Sequence, residues 1–164
     1  METLSAIKNR RSVRAFEVKP ISQAQLEELV DCARFAPTAR NVQPWEFIAI
    51  TKQGTLEKLG SLIENGRFLA QSSACIAILC EDTKYYLEDG CAATQNILLA
   101  AIDLGIASCW VAGDKKDYCQ KVKDLLGVPE KFKLVSLIAL GYSDAKLSLP
   151  PKRTLKEVLH WEKF

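Results

Sequence analysis

Apolar positions along the chain switch repeatedly between a helical spacing and short unbroken runs. Leu4 and Ile7 share one face of a first short helix over Thr3–Arg10. Ser22 opens a second, with Gln25 three positions on, the spacing of a capping box in which each residue bonds the other's backbone. Leu26, Leu29, Val30 and Ala33 then repeat at the helical period. Pro37 ends that run, because proline has no amide N–H and clashes with the preceding turn. Trp45–Thr51 (WEFIAIT) is rich in aromatic and β-branched residues and reads as a strand. Leu56, Leu59, Leu62 and Ile63 give the stripe of a helix over Thr55–Glu64. Cys75–Cys80 (CIAILC) holds no polar residue, the pattern of a strand buried on both faces.

The longest helical pattern is Glu88–Leu104, carrying Ala92, Ala93, Ile97, Leu98, Ala101 and Ile102. Its apolar positions nearly surround the axis, as in a helix buried in a core or a subunit interface. Gly105 follows where a left-handed helix stop is expected. Ser108–Ala112 (SCWVA) is a third strand. Asp114 is placed to cap a helix running to Leu126, closed by Gly127 and Pro129. Leu134–Leu140 (LVSLIAL) is a fourth strand, and Thr154–His160 a last short helix after Pro150–Pro151. Apolar strands flanked by amphipathic helices imply an α/β or α+β sheet covered on both faces.

Composition narrows the class. At 164 residues and 48% hydrophobic, the chain is expected to form one domain over 1–164 with a substantial core. Separate cofactor and substrate lobes do not fit that length. Twenty-two basic against 20 acidic residues leave no broad cationic surface, so nucleic acid and anionic membrane are not the expected partners. No apolar stretch has the length of a membrane span and the first residues do not resemble a secretion signal, so the expected compartment is the cytoplasm. Six cysteines, at 32, 75, 80, 91, 109 and 119, form no CxxC pair, which argues against a metal centre. Cys75, Cys80 and Cys109 read as small buried hydrophobes, while Cys32, Cys91 and Cys119 fall on predicted helices.

Nucleotide and hydrolase signatures are missing. There is no P-loop, no G-x-G-x-x-G and no G-x-S-x-G, and the single histidine, His160, lies near the chain end. Three segments carry unusual chemistry instead. Arg10-Arg11-Ser12-Val13-Arg14 gathers three guanidinium groups and a hydroxyl; arginine's planar fork matches phosphate oxygens. The same run also reads as a basic helix end that favours the helix dipole. Ala36-Pro37-Thr38-Ala39-Arg40-Asn41-Val42-Gln43-Pro44-Trp45 brackets a hydroxyl and two carboxamides between prolines, donors and acceptors suited to a flat heteroaromatic ring or a polyol. Asn and Thr there could equally serve the backbone of a helix-to-strand turn. Leu149-Pro150-Pro151-Lys152-Arg153 is a rigid extended segment that delivers two cations.

Taken in order, RRSVRAF, APTARNVQPW, GCAATQNILLAAIDLGIASCWVAG, ALGYS, PPKR and EVLHWEKF resemble the nitroreductase-like family of flavin enzymes over most of the chain. The resemblance implies an α+β, three-layer α/β/α fold with a mixed, mainly antiparallel sheet. It also implies a homodimer holding FMN at two interface sites. By resemblance, Arg10, Ser12 and Arg14 contact the FMN phosphate and the pyrimidine side of the ring, Arg11 shares their motif, and Lys152 and Arg153 approach the phosphate. Pro37, Thr38, Ala39 and Asn41 would come from the partner subunit, with Gln43 in support. Val111, Ala112 and Gly113 would lie against the isoalloxazine, one backbone N–H directed at N5. The flavin carries the redox chemistry, so no catalytic side chain and no metal is implied.

The implied activity is a ping-pong transfer of electrons from NADH or NADPH to nitroaromatic, quinone or flavin acceptors. The stretch Glu81–Leu87 is shorter than the insertion that often builds a substrate lid in such enzymes, leaving Tyr85 and Tyr86 as candidates to cover the flavin. Two other readings stay open: a specialised flavin enzyme (a reductive dehalogenase or a flavin-fragmenting enzyme), and a non-catalytic flavin-binding dimer.

Overall fold

The computed structural model describes residues 2–145 and 150–164. Leu149, the first residue of the predicted basic Pro-Pro segment, lies outside the described residues. Six α-helices and four strands follow one another as α1 (Thr3–Asn9), α2 (Gln23–Arg34), β1 (Trp45–Ile50), α3 (Gln53–Leu62), β2 (Ala74–Glu81), α4 (Tyr86–Asp103), β3 (Ala107–Ala112), α5 (Cys119–Leu126), β4 (Phe132–Gly141) and α6 (Leu155–Val158). The strands form one sheet in the order β1-β2-β4-β3, all neighbours antiparallel.

Strand β2 shows why the sheet is covered on both sides. Ala74, Ile76, Ile78 and Cys80 point into a core with α2 and α4, built on Leu26, Leu29, Ala33, Ala93, Ile97, Leu98 and Ala101. Cys75, Ala77 and Leu79 point the other way, toward Leu56, Leu59 and Leu69. Side chains alternate along a strand, so an all-apolar run needs two apolar layers, and α2/α4 against α3/α5 supply them. The predicted α/β/α layering is therefore the observed one. Among the described residues, no helix is long and apolar enough to cross a membrane.

The punctuation residues act as their chemistry dictates. The Gln25 amide donates to Ser22 Oγ at 3.3 Å and the Ser22 amide to Gln25 Oε1 at 3.1 Å, closing the capping box. Gly105 and Gly127 take φ +70 and +66, a region nearly free of cost only for glycine. Two expectations change. Asp114 caps no helix: α5 starts at Cys119, and the Asp114 carboxylate accepts the Tyr86 hydroxyl at 2.6 Å. The helix ending near Glu64 stops at Leu62; Ile63 is extended, and a 3-10 segment runs over Glu64–Gln71.

One irregularity positions the site. The register between β2 and β4 slips after Ile78, which faces Ser136, while Leu79 faces Leu134. Val135 is the extra residue of this bulge. Its carbonyl accepts two successive amides, Gly113 at 3.1 Å and Asp114 at 3.3 Å. The bulge thereby pins the chain just where it leaves β3, and bulges commonly re-aim backbone beside active sites.

Candidate active site

Helix α1 ends at Asn9, and its cap Arg10, with a ψ of 133, sets the chain into an extended path. That path runs along the outer edge of β3. Ser12 bridges Ser108 in parallel, and the Val13 amide donates to the Ser108 carbonyl at 2.9 Å. In extended chain, alternate residues share a side. Arg10, Ser12 and Arg14 therefore face one way, while Val13, 4% exposed, enters the core. All three act on the same neighbour, Cys109. Burial pushes its thiol up, and the charge of Arg14, a hydrogen bond with Ser12 and the charge of Arg10 work against that rise. Among the described residues neither guanidinium has an ion pair. Arg11 takes the other direction: its guanidinium donates to the carbonyls of Lys8 at 2.8 Å and Arg10 at 2.6 Å, and its buried Nε has no partner. Residue spacing in a strand thus splits the RRSVR motif into a converging trio and one arginine that closes α1.

The far end of β3 carries Val111, Ala112 and Gly113. The Ser108 carbonyl faces Val13 and the Gly113 amide faces Val135. By strict alternation, 107, 109, 111 and 113 bond β4, whereas 108, 110 and 112 face the open edge. The Ala112 N–H is therefore the backbone donor of this trio on the free edge, about 13 Å from Ser108 along the strand. Gly113 is needed because the backbone of β4 passes close beside it. A Cβ there would lie 2.7 Å from the Leu134 carbonyl oxygen and 2.8 Å from that of Val135. The Ala112 and Gly113 carbonyls receive the Tyr118 hydroxyl and the Cys119 thiol.

The third segment, Pro37–Gln43, folds back on α4. The Thr38 hydroxyl donates to Asp89 Oδ2 at 2.8 Å and the Ala39 amide to Asp89 Oδ1 at 3.2 Å. Thr38 Oγ1 in turn accepts the Gln43 amide at 3.1 Å. Between these anchors Arg40, Asn41 and Gln43 all take left-handed backbone, with φ of 56, 56 and 51. For residues with a side chain this costs about 1–2 kcal/mol each, and such outliers persist where surrounding bonds enforce them. Asp89 belongs to none of the three segments whose chemistry stands out in the sequence. The only local signal for it is an acid in the first turn of a helix, and its partners are 50 and 51 positions away.

The Nitroreductase family model matches residues 7–73 and 81–142. The chain belongs to the nitroreductase family. A protein of Archaeoglobus fulgidus named "Putative NADH dehydrogenase/NAD(P)H nitroreductase" is 36% identical over 149 residues, covering 86% of this chain and 85% of that one. A crystal structure from Bacteroides thetaiotaomicron, described in the same words, superposes with a TM-score of 0.94 at 25% identity, covering 100% and 99% of the two chains. An FMN-dependent nitroreductase of Clostridium difficile superposes with a TM-score of 0.91 at 26% identity, covering 98% and 99%.

In this nitroreductase-family chain the other predicted positions make contacts of their own. Arg153 donates to the Glu157 carbonyl within its own segment, and among the described residues no bond joins Lys152 or Arg153 to Arg10, Ser12 or Arg14. His160 stacks on Phe164 with ring centroids 4.3 Å apart. Tyr85 is 42% exposed and lines a hollow of about 150 Å³ with Ala39, Arg40, Val42 and Lys84. Two wider hollows, about 670 and 660 Å³, lie between α2 and β1 and beside Phe16–Pro20; neither contains a predicted site residue.

Proposed function

We propose that this chain is an FMN-dependent oxidoreductase that takes electrons from NADH or NADPH and passes them to nitroaromatic, quinone or flavin-type acceptors by a ping-pong sequence. The observation that carries this reading is the open edge of β3. One end offers the cations Arg10 and Arg14, without an ion pair among the described residues, with the Ser12 hydroxyl, and the other offers the Ala112 amide on the strand's outer edge. A ligand with a dianionic phosphate at one end and a flat ring at the other fits that edge. Phosphate carries about two negative charges at neutral pH, and charge-assisted bonds from guanidinium are among the stronger hydrogen bonds.

When bound, FMN supplies the hydride exchange between nicotinamide and acceptor. The chain's own residues bind and orient. Arg10, Ser12 and Arg14 hold the phosphate corner, with Lys152 and Arg153 joining from the C-terminal segment. Arg11 secures the end of α1 behind them. The Ala112 N–H would hold the ring edge, Val111 and Gly113 fix that amide by bonding β4, and the bulge at Val135 keeps it facing outward.

The active form is a homodimer in this reading, and the compartment is the cytoplasm. Asp89, which holds the Pro37–Gln43 loop, and Ile102, which lines a hollow beside Arg10 and Arg11, are separated by about 20 Å of helix. The loop, bearing Pro37, Thr38, Ala39, Asn41 and Gln43, thus stands far from its own phosphate corner and is available to a second copy. Exposed apolar side chains at Leu4, Ile7, Leu155, Val158 and Trp161 give that copy a surface to cover.

Purified protein should be yellow or take up FMN, and should bleach anaerobically with NADH or NADPH. An acceptor panel then restores the colour. Protein that binds no FMN rules the reading out, and flavin that neither nucleotide reduces would instead favour a non-catalytic flavin-binding dimer.

A further inference from the structure

We propose that Asp89 is a positioning residue that sets the shape of the Pro37–Gln43 loop for the ring end of the site. This rests on the flavin-enzyme reading above. Asp89 is 5% exposed, and among the described residues no cationic side chain pairs with it. A buried carboxylate without a cation persists only if neutral donors satisfy it. Here the donors are the Thr38 hydroxyl and the Ala39 amide, both in the loop. Because Thr38 Oγ1 also accepts the Gln43 amide, Asp89 governs both ends of the loop through one hydroxyl. Arg40, Asn41 and Gln43, the three left-handed residues, all lie within that closure.

The arrangement assigns Thr38 a different task from ligand contact. Its hydroxyl already donates to Asp89 and accepts from Gln43, so it orients the loop while the Asn41 and Gln43 side chains face outward for a ligand. Asp89 stands at the opposite end of α4 from Arg10. Disturbing it should alter how ring, donor and acceptor are held and leave the phosphate corner intact.

The test compares Asp89→Asn, Thr38→Val and Thr38→Ser. Without any ligand, amide hydrogen exchange at Ala39 and Gln43 should speed up in Asp89→Asn and Thr38→Val, and Thr38→Ser should restore the wild-type rate. In FMN-loaded protein, the KM for NADH should rise about tenfold or more, the loss expected when a charge-assisted bond goes, with kcat changing less. The ratio of FMN to riboflavin affinity, which reads the phosphate corner, should stay as in wild type. The proposal is overturned if exchange in both disabling variants matches wild type. It also falls if Thr38→Ser is as impaired as Thr38→Val, or if only the melting temperature moves. A wild type that takes up no flavin defeats the flavin reading separately, and exchange still decides whether Asp89 holds the loop.

Discussion

Gly90 of α4 faces Val135 of β4 so closely that a Cβ on Gly90 would lie 2.7 Å from Val135 Cγ2. The same added atom would meet Cys80 Sγ at 3.0 Å. The helix that carries Asp89 is thus seated directly on the bulge that holds Gly113, with nothing but a hydrogen between them. Gly90→Ala should therefore destabilise the fold by about 1–3 kcal/mol, the usual cost of overpacking. Thermal unfolding checks this: a melting temperature equal to wild type would show that Val135 moves aside freely.

Tyr86 and Asp114 tie the start of α4 to the turn after β3. The hydrogen bond to Asp114 is the first cause, ahead of burial, that pushes the Tyr86 hydroxyl up to about 12. The neutral hydroxyl is the form that donates. The bond therefore supports the fold fully below the ordinary tyrosine pKa of about 10 and is lost as pH rises through about 12. Tyr86→Phe should cost about 1–2 kcal/mol at neutral pH. Urea titrations should show the gap to wild type constant up to about pH 10 and closing above it.

Arg14→Ala should weaken FMN binding by about 1.5–3 kcal/mol, or more than tenfold. Riboflavin, which lacks the phosphate, should lose less. Equal losses for the two ligands would move Arg14 from the phosphate to the ring.

Ala112→Pro removes one amide on an edge where proline is tolerated, whereas Val111→Pro also deletes a bond of the β3–β4 ladder. The first should leave the melting temperature near wild type and lower the flavin's reduction potential. The second should lower stability markedly. An unchanged potential in Ala112→Pro would dissociate that amide from the ring.

Burial pushes the Cys75 and Cys80 thiols up to about 12. The thiolate is the reactive form, so both should resist maleimide in the folded protein and react fully once it is unfolded. Peptide mapping by mass spectrometry reads this directly. Rapid labelling of Cys75 in native protein would contradict its place under the sheet.

Much of the fold is legible where the physics is local. The capping box of Ser22 and Gln25, the stops at Gly105 and Gly127, and the all-apolar β2 each follow from a few neighbouring residues. The trio Arg10, Ser12 and Arg14 was legible as chemistry but not as geometry. Arg11 looks equivalent until the chain is known to be extended there. Asp114 reads as a helix cap, because its spacing says nothing of Tyr86 at the start of α4. Asp89 and the bulge at Val135 were invisible for the same reason: each acts through contacts between segments distant in sequence.

The open edge of β3 has a second consequence. Amides that face outward at Trp110 and Ala112, without a backbone partner among the described residues, are an invitation to a passing strand. Two guanidinium groups nearby repel a like edge on another molecule, and a ligand lying along the strand closes it altogether. Cofactor supply would then govern not only how fast such a protein works but how long it stays in solution, with starved chains the first to stick.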